Sequence, residues 1–151
     1  MGILKCVTLL SLVASFHLSA TEISLKDFEN IKTVHLENNK ESQKKLLYFW
    51  ASWCPDCRGK LRSELRDLKK QNVDVVTVNL DRNLKKGMNF IKQENLPFTV
   101  LRDEEKFLRK TLSVYAVPSW AVIEKKNEKW SVVKSSSGSD IKKIKESLGV
   151  L

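Results

Sequence analysis

One stretch constrains this chain more than any other. Lys45-Leu46-Leu47-Tyr48-Phe49-Trp50-Ala51-Ser52 runs straight into Trp53-Cys54-Pro55-Asp56-Cys57. An uninterrupted apolar run with this aromatic content suits a strand buried on both faces. Pro55 suits the first turn of a helix, where a missing N–H costs nothing. Leu61, Leu65 and Leu68 follow at i, i+4 and i+7 with charges between them, the stripe of an amphipathic helix lying on a sheet. The two cysteines therefore fall where a buried strand hands over to a helix.

The rest of the pattern extends this unit. Val73 to Leu80 reads as a second strand. A helical pattern with Leu84, Met88 and Ile91 follows, with Gly87 as a weak spot, and Pro97 ends it. Thr99 to Leu101 suits a short strand, and Glu104 to Leu112 a short helix with Phe107 and Leu108 inward. Ser119 to Ile123 predicts a further strand, Lys125 to Glu128 a turn, and Lys129 to Val133 its hairpin partner. Ser135 to Ser139 reads as a loop. Asp140 opens a last helix striped by Ile141, Ile144 and Leu148. Ile23, Leu25 and Phe28 suit a short strand or turn ahead of the main unit. Strand–helix alternation followed by a hairpin gives an α/β domain with a mixed central β-sheet and helices on both faces.

The chain has 151 residues, enough for one domain with one substantial core. Residues 1–20 differ from the rest. Lys5 precedes a nearly all-apolar stretch from Cys6 to Val13, and the segment closes on Leu18-Ser19-Ala20. This order is that of a secretory signal peptide cut near Ala20, and the stretch is shorter than the roughly 20 residues a membrane span needs. Residues 21–151 then form the exported domain. Cleavage removes Cys6 and leaves Cys54 and Cys57, too close together to staple distant parts of a fold. The formal charge of +9 suits weak association with an anionic membrane surface. The basic residues are spread from Lys26 to Lys145, with no zinc finger or basic–aromatic stripe, which speaks against a nucleic-acid partner.

Thiol exchange needs a stabilised, accessible thiolate beside a second thiol. At the helix N-terminus Cys54 meets unsatisfied N–H groups and the positive end of the helix dipole, which should bring its pKa below the free-thiol value of about 8.5. Its sulfur is expected to lie uncovered. Cys57, one turn on and more buried, would resolve the mixed disulfide that Cys54 forms. A zinc site would need about four ligands, and the exported chain offers Cys54, Cys57 and His35 beside acids with no metal spacing. Attachment of c-type haem would need a histidine where Arg58 stands. No metal or organic cofactor is expected, the redox group being the Cys54–Cys57 pair itself. A purely structural disulfide in a non-catalytic binding module remains the alternative from another class.

The segment from Phe49 to Arg58 resembles the active-site segment of the thioredoxin superfamily, in particular the exported reductases of the TlpA and ResA kind. The likeness continues through Val73 to Asp81, Leu96-Pro97-Phe98 and Tyr115-Ala116-Val117-Pro118. It implies a thioredoxin-like fold with a TlpA-type central insertion between Leu80 and Pro118. In that family the proline after the third main strand is cis and faces the cysteines, a position that Val117-Pro118 matches. The resemblance implies that Cys54 attacks and Cys57 resolves, and that Trp53, Pro55, Asp56, Val117 and Pro118 shape the docking site, with Trp50 in the core. It implies reduction of cysteine pairs in exported, periplasmic proteins, apocytochromes among them, by a monomer recharged from an upstream membrane thiol reductant. Oxidase or isomerase activity is the enzymatic alternative. The negative charge of Asp56 favours the reductant, because it disfavours the thiolate. Three positions depart from relatives. Lys60 and Tyr48 stand where acids are expected, so proton transfer would use water or another group such as Glu64. Arg62 replaces a helix proline, which implies a straighter helix.

Overall fold

The computed structural model describes residues 22–24, 44–103, 106–126 and 129–150. The elements run β1 (Glu22–Ser24), β2 (Lys44–Trp50), α1 (Pro55–Arg62), α2 (Glu64–Lys70), β3 (Asp74–Asn79), α3 (Leu84–Gln93), β4 (Thr99–Arg102), α4 (Phe107–Thr111), β5 (Ser119–Lys126), β6 (Lys129–Ser137) and α5 (Ile141–Leu148). The expected signal peptide, Leu25, Phe28 and His35 lie outside the described residues. Among the described residues no helix is long and apolar enough to cross a membrane.

The sheet has six strands in the order β1-β4-β3-β2-β5-β6. The pairs β1–β4, β4–β3 and β3–β2 are parallel, and β2–β5 and β5–β6 are antiparallel. It is the mixed sheet of a thioredoxin-like fold, and the central insertion contributes β4 between β1 and β3. The apolar run in β2 is continuous because both of its faces are covered. Leu46, Tyr48 and Trp50 join one core with residues of α1, α2, α3 and α5, while Leu47 and Phe49 join a second core with Leu108 and Leu112 of the α4 region. Alternation repeats on β5, where Trp120 and Val122 face the first core and Ala121 and Ile123 the second. Lys45 interrupts the apolar run at its start, buried, with its ammonium on Asp74 of the neighbouring strand.

Three expectations are corrected. The leucine-striped helix is not straight: it divides at Ser63 (φ −109°, ψ −99°) although no proline is present. The Ser63 hydroxyl donates to the Gly59 carbonyl at 2.9 Å, a bond one turn back that is known to bend helices. Arg62 latches the end of α1 to the end of α3 instead, through bonds to both carboxylate oxygens of Glu94 at 2.9 and 2.5 Å, and its guanidinium lies 5.3 Å from the Phe90 ring centre. Ser135, Ser136 and Ser137 are not a loop. They continue β6 opposite Ala121, Trp120 and Ser119, past an irregularity at Val133, and their side chains are exposed, where serine is tolerated. Finally, Gly87 is no weak spot. A Cβ there would lie 2.5 Å from the Asn79 amide nitrogen, so α3 can approach β3 only through a glycine.

Candidate active site

Cys54 is the N-cap of α1, with extended backbone (φ −96°, ψ 104°) and Pro55 in the first turn. Its sulfur accepts the Cys57 N–H at 3.1 Å and its carbonyl accepts the Arg58 N–H at 3.1 Å. The two sulfurs are joined as a disulfide. On reduction, a thiolate on Cys54 would occupy an N-cap, facing a donor that the helix itself cannot satisfy.

Accessibility differs from expectation in degree. Cys54 is 6% exposed and Cys57 0%, so the order of exposure is as expected but the Cys54 sulfur is largely covered. The disulfide draws the Cys54 side chain toward a fully buried partner, and both belong to the core cluster that holds Tyr48, Trp50 and Ala51. What stands open is the surround. Trp53 is 68% exposed, and Pro55 and Asp56 are exposed beside it.

The register of β2 and β5 brings the proline loop to the same end of the sheet. Phe49 pairs with Ser119, so Pro118 lies alongside the point where β2 gives way to the cysteine turn. The Val117–Pro118 bond is cis. Val117 is half-buried and packs on the core cluster containing Cys54 and Cys57. The loop is held from both sides. The Ser119 hydroxyl donates to the Ala116 carbonyl at 2.7 Å, and the Gly138 N–H donates to the Pro118 carbonyl at 2.8 Å. Gly138 has φ +86°, a conformation that favours glycine at the turn leaving β6. Tyr115, 91% exposed, precedes the loop and adds a second uncovered aromatic.

Neither substituted acid position has gained an acid. Tyr48 is fully buried in the cysteine cluster, its hydroxyl has no hydrogen-bond partner among the described residues, and burial pushes its pKa well above the usual tyrosine range, with the negative charges of Asp56 and Glu64 adding to the rise. Glu64 is bound to Lys60 at 2.6 Å and to the Ser63 hydroxyl. Burial raises its pKa, but those bonds together outweigh it and bring the carboxyl down to about 2. That is far too acidic to accept a thiol proton efficiently, so the sequence-based expectation for Glu64 loses its chemical basis. Among the described residues no three of His, Cys, Asp and Glu group as metal ligands.

Sequence reasoning overlooked a polar group at the carboxyl end of β3. Asp81 accepts hydrogen bonds from the Ser52 N–H on both carboxylate oxygens, at 3.1 Å each, and from the Ser52 hydroxyl at 3.1 Å. The available signal was topological: in a parallel pair the residue just after β3 lies beside the residue just after β2.

A family model described as Redoxin matches residues 18–150. The chain is 32% identical over 94 residues to "Sporulation thiol-disulfide oxidoreductase A" of Bacillus subtilis (strain 168), covering 58% of this chain and 57% of that protein. It is 30% identical over 111 residues to "Thiol-disulfide oxidoreductase ResA" of Bacillus thuringiensis subsp. konkukian (strain 97-27), covering 72% of this chain and 57% of the relative. The chain thus spans little more than half the length of these curated relatives. Among solved structures, the crystal structure of StoA from Bacillus subtilis superposes with a TM-score of 0.58 at 30% identity, over 73% of this chain and 84% of that one.

Proposed function

The chain belongs to the Redoxin family, and from that premise we propose that it is an exported thiol–disulfide oxidoreductase that reduces cysteine pairs in exported proteins. The observation that carries the reading is the Cys54 sulfur at the N-cap of α1, bonded to Cys57 and receiving its N–H, at the sheet end that also holds the cis Val117–Pro118 loop.

In the reduced protein the Cys54 thiolate attacks one sulfur of a substrate disulfide. A mixed disulfide forms, and the other substrate sulfur leaves as a thiolate and takes a proton. The Cys57 thiol gives its proton to water and attacks the Cys54 sulfur. The substrate departs as a dithiol, the Cys54–Cys57 disulfide is restored, and two electrons have passed outward. Trp53, Pro55, Asp56, Val117 and Pro118 form the docking rim. The cis proline, which has no N–H to compete for the thiolate, presents the Val117 backbone to an extended substrate segment. A membrane thiol reductant returns the electrons, the leader up to about Ala20 directs export, and apocytochromes are one substrate class that fits. Among these elements the direction of electron flow rests on Asp56, exposed in the first turn beside the attacking sulfur.

Reduction of insulin disulfides tests the activity. The wild type should accelerate it, and Cys54→Ser should abolish the acceleration; equal rates for the two would leave a binding module with a structural disulfide. Equilibration against glutathione buffers tests direction. A potential near the oxidant end of the scale, about −120 mV, would exclude a reductant.

A further inference from the structure

We infer that Asp81 is a positioning residue for Cys54, its carboxylate clamping the turn between β2 and α1 and so fixing where the attacking sulfur stands. The inference rests on the reductase reading above. After Trp50 the chain leaves the sheet and reaches the helix N-cap at Cys54 within four residues. Its path is stitched at successive points. The Leu80 N–H donates to the Trp50 carbonyl at 2.8 Å, Ser52 donates its N–H and its hydroxyl to Asp81, and the Cys54 N–H donates to the Ala51 carbonyl at 3.1 Å. Asp81 supplies the only side-chain acceptor in that series. Its bonds are to a charged acceptor, a kind roughly twice as strong as neutral pairs.

Asp81 is itself held rigidly. The Asn79 side-chain amide donates to its Oδ2 at 2.9 Å, and the Asp81 N–H donates to the Asn79 Oδ1 at 3.1 Å. Asn79 is buried at the end of β3, paired with Trp50 on one side and Arg102 on the other, and Gly87 of α3 presses against its amide. A continuous series of contacts therefore runs from the sheet through Asn79 and Asp81 to Ser52, two residues before the nucleophile. The bland alternative is that Asp81 merely caps the following helix. That role is taken: Asn79 orients Asp81 toward the turn, and the cap of α3 is Asn83, whose side chain accepts the Lys85 N–H at 3.0 Å.

The chemical consequence follows from geometry. Thiol exchange needs the attacking sulfur in line with the bond it breaks, and a displacement of about 1 Å can cost about a hundredfold in rate. Cys54 also needs extended backbone for its sulfur to receive the Cys57 N–H. Asp81 touches neither sulfur nor substrate, so it acts through the turn.

The test uses the full chain with Asp81→Ala, Asp81→Asn, Ser52→Ala and the Asp81→Ala/Ser52→Ala double variant. Insulin reduction, thermal melting and the pH dependence of Cys54 alkylation by iodoacetamide are read for each. Asp81→Ala should lower kcat about tenfold while KM moves less than twofold, and Asp81→Asn, which keeps one acceptor oxygen, should recover most of the loss. Ser52→Ala should cost about twofold alone and nothing further in the Asp81→Ala background, because the two groups act as one unit. The alkylation midpoint of Asp81→Ala should lie above that of Asp81→Asn, a comparison in which loss of the charge cancels. Wild-type kcat and coincident midpoints in both Asp81 variants overturn the clamp, as do losses that simply multiply in the double variant. If Asp81→Ala does not fold, Asp81→Asn and Ser52→Ala decide by a graded loss or none. If the wild type itself fails to reduce insulin, the reductase reading falls, and the alkylation midpoints still test the clamp.

Discussion

Tyr48 is the residue whose position is hardest to reconcile with stability alone. It occupies the centre of β2, is fully buried beside the cysteine cluster, and carries a hydroxyl with no partner among the described residues. Leaving such a group unpaired costs about 1–3 kcal/mol, because water is lost and nothing replaces it. Glu64 and Asp56 make matters no easier, since their negative charges keep the phenol protonated rather than giving it a role as an anion. Tyr48→Phe keeps the ring that fills the core and deletes only the orphaned hydroxyl. It should therefore stabilise the protein by about 1 kcal/mol and raise Tm by about 3 °C. Thermal melts of the oxidised proteins check this. A lower Tm for Tyr48→Phe would mean that the hydroxyl is satisfied, by water or otherwise, and that the burial cost has been overestimated.

The two helical glycines make opposite predictions at the level of elements. Gly59 is exposed on α1, and beyond its own helix backbone no atom of the described residues comes within 4 Å of where a Cβ would stand. Gly59→Ala should gain up to about 1 kcal/mol from helix propensity and reduced unfolded-state entropy. Gly87→Ala would place its methyl 2.5 Å from Asn79 Nδ2, and Asn79 is buried and bonded to Asp81, so it cannot swing aside. Overpacking of that kind costs about 1–3 kcal/mol, which exceeds the propensity gain. Urea midpoints should rise for the first variant and fall for the second, and the second should also slow insulin reduction. The same contrast marks what the sequence carried and what it did not. β2, the start of α1 and α5 were legible because local pattern and global burial agree: an apolar run, Pro55 after the cap, and Asp140 accepting the N–H groups of Lys142 and Lys143. The cis proline was legible only through family resemblance. The bend at Ser63, the serines of β6 and the Asp103 carboxylate that caps α4 by accepting the Leu108 and Arg109 N–H groups were not, because each depends on a partner or on the lack of one. Asp81 was hidden for the same reason: its partner Ser52 is distant in sequence and adjacent only once β2 and β3 pair.

At the scale of the whole molecule, the redox state and the fold are linked. The disulfide joins residues three apart in sequence, whereas the two cores are assembled from strands and helices along the whole described chain. Reduction should leave the fold standing, and the question is which state is the more stable. The N-cap and the helix dipole favour the thiolate by about 0.3–1 kcal/mol. Against them stand the burial of Cys54 at 6% exposure, which deprives the thiolate of water, and the charge of Asp56 in the first turn. Closing even this short loop adds about 2 kcal/mol to the oxidised state by the chain-entropy argument. The sum favours the disulfide, which is the condition for a reductant: a strong oxidant instead has the more stable reduced form. Tm should therefore fall on reduction with dithiothreitol, by about 5 °C for a stability difference near 2 kcal/mol. Cys54→Ser, which cannot form the bond, should melt at one temperature with or without the reductant. A reduced wild type that melts above the oxidised one would reverse the proposed electron flow while leaving the Cys54–Cys57 chemistry in place, and Asp56→Asn would then show whether the carboxylate between the cysteines contributes to the balance at all.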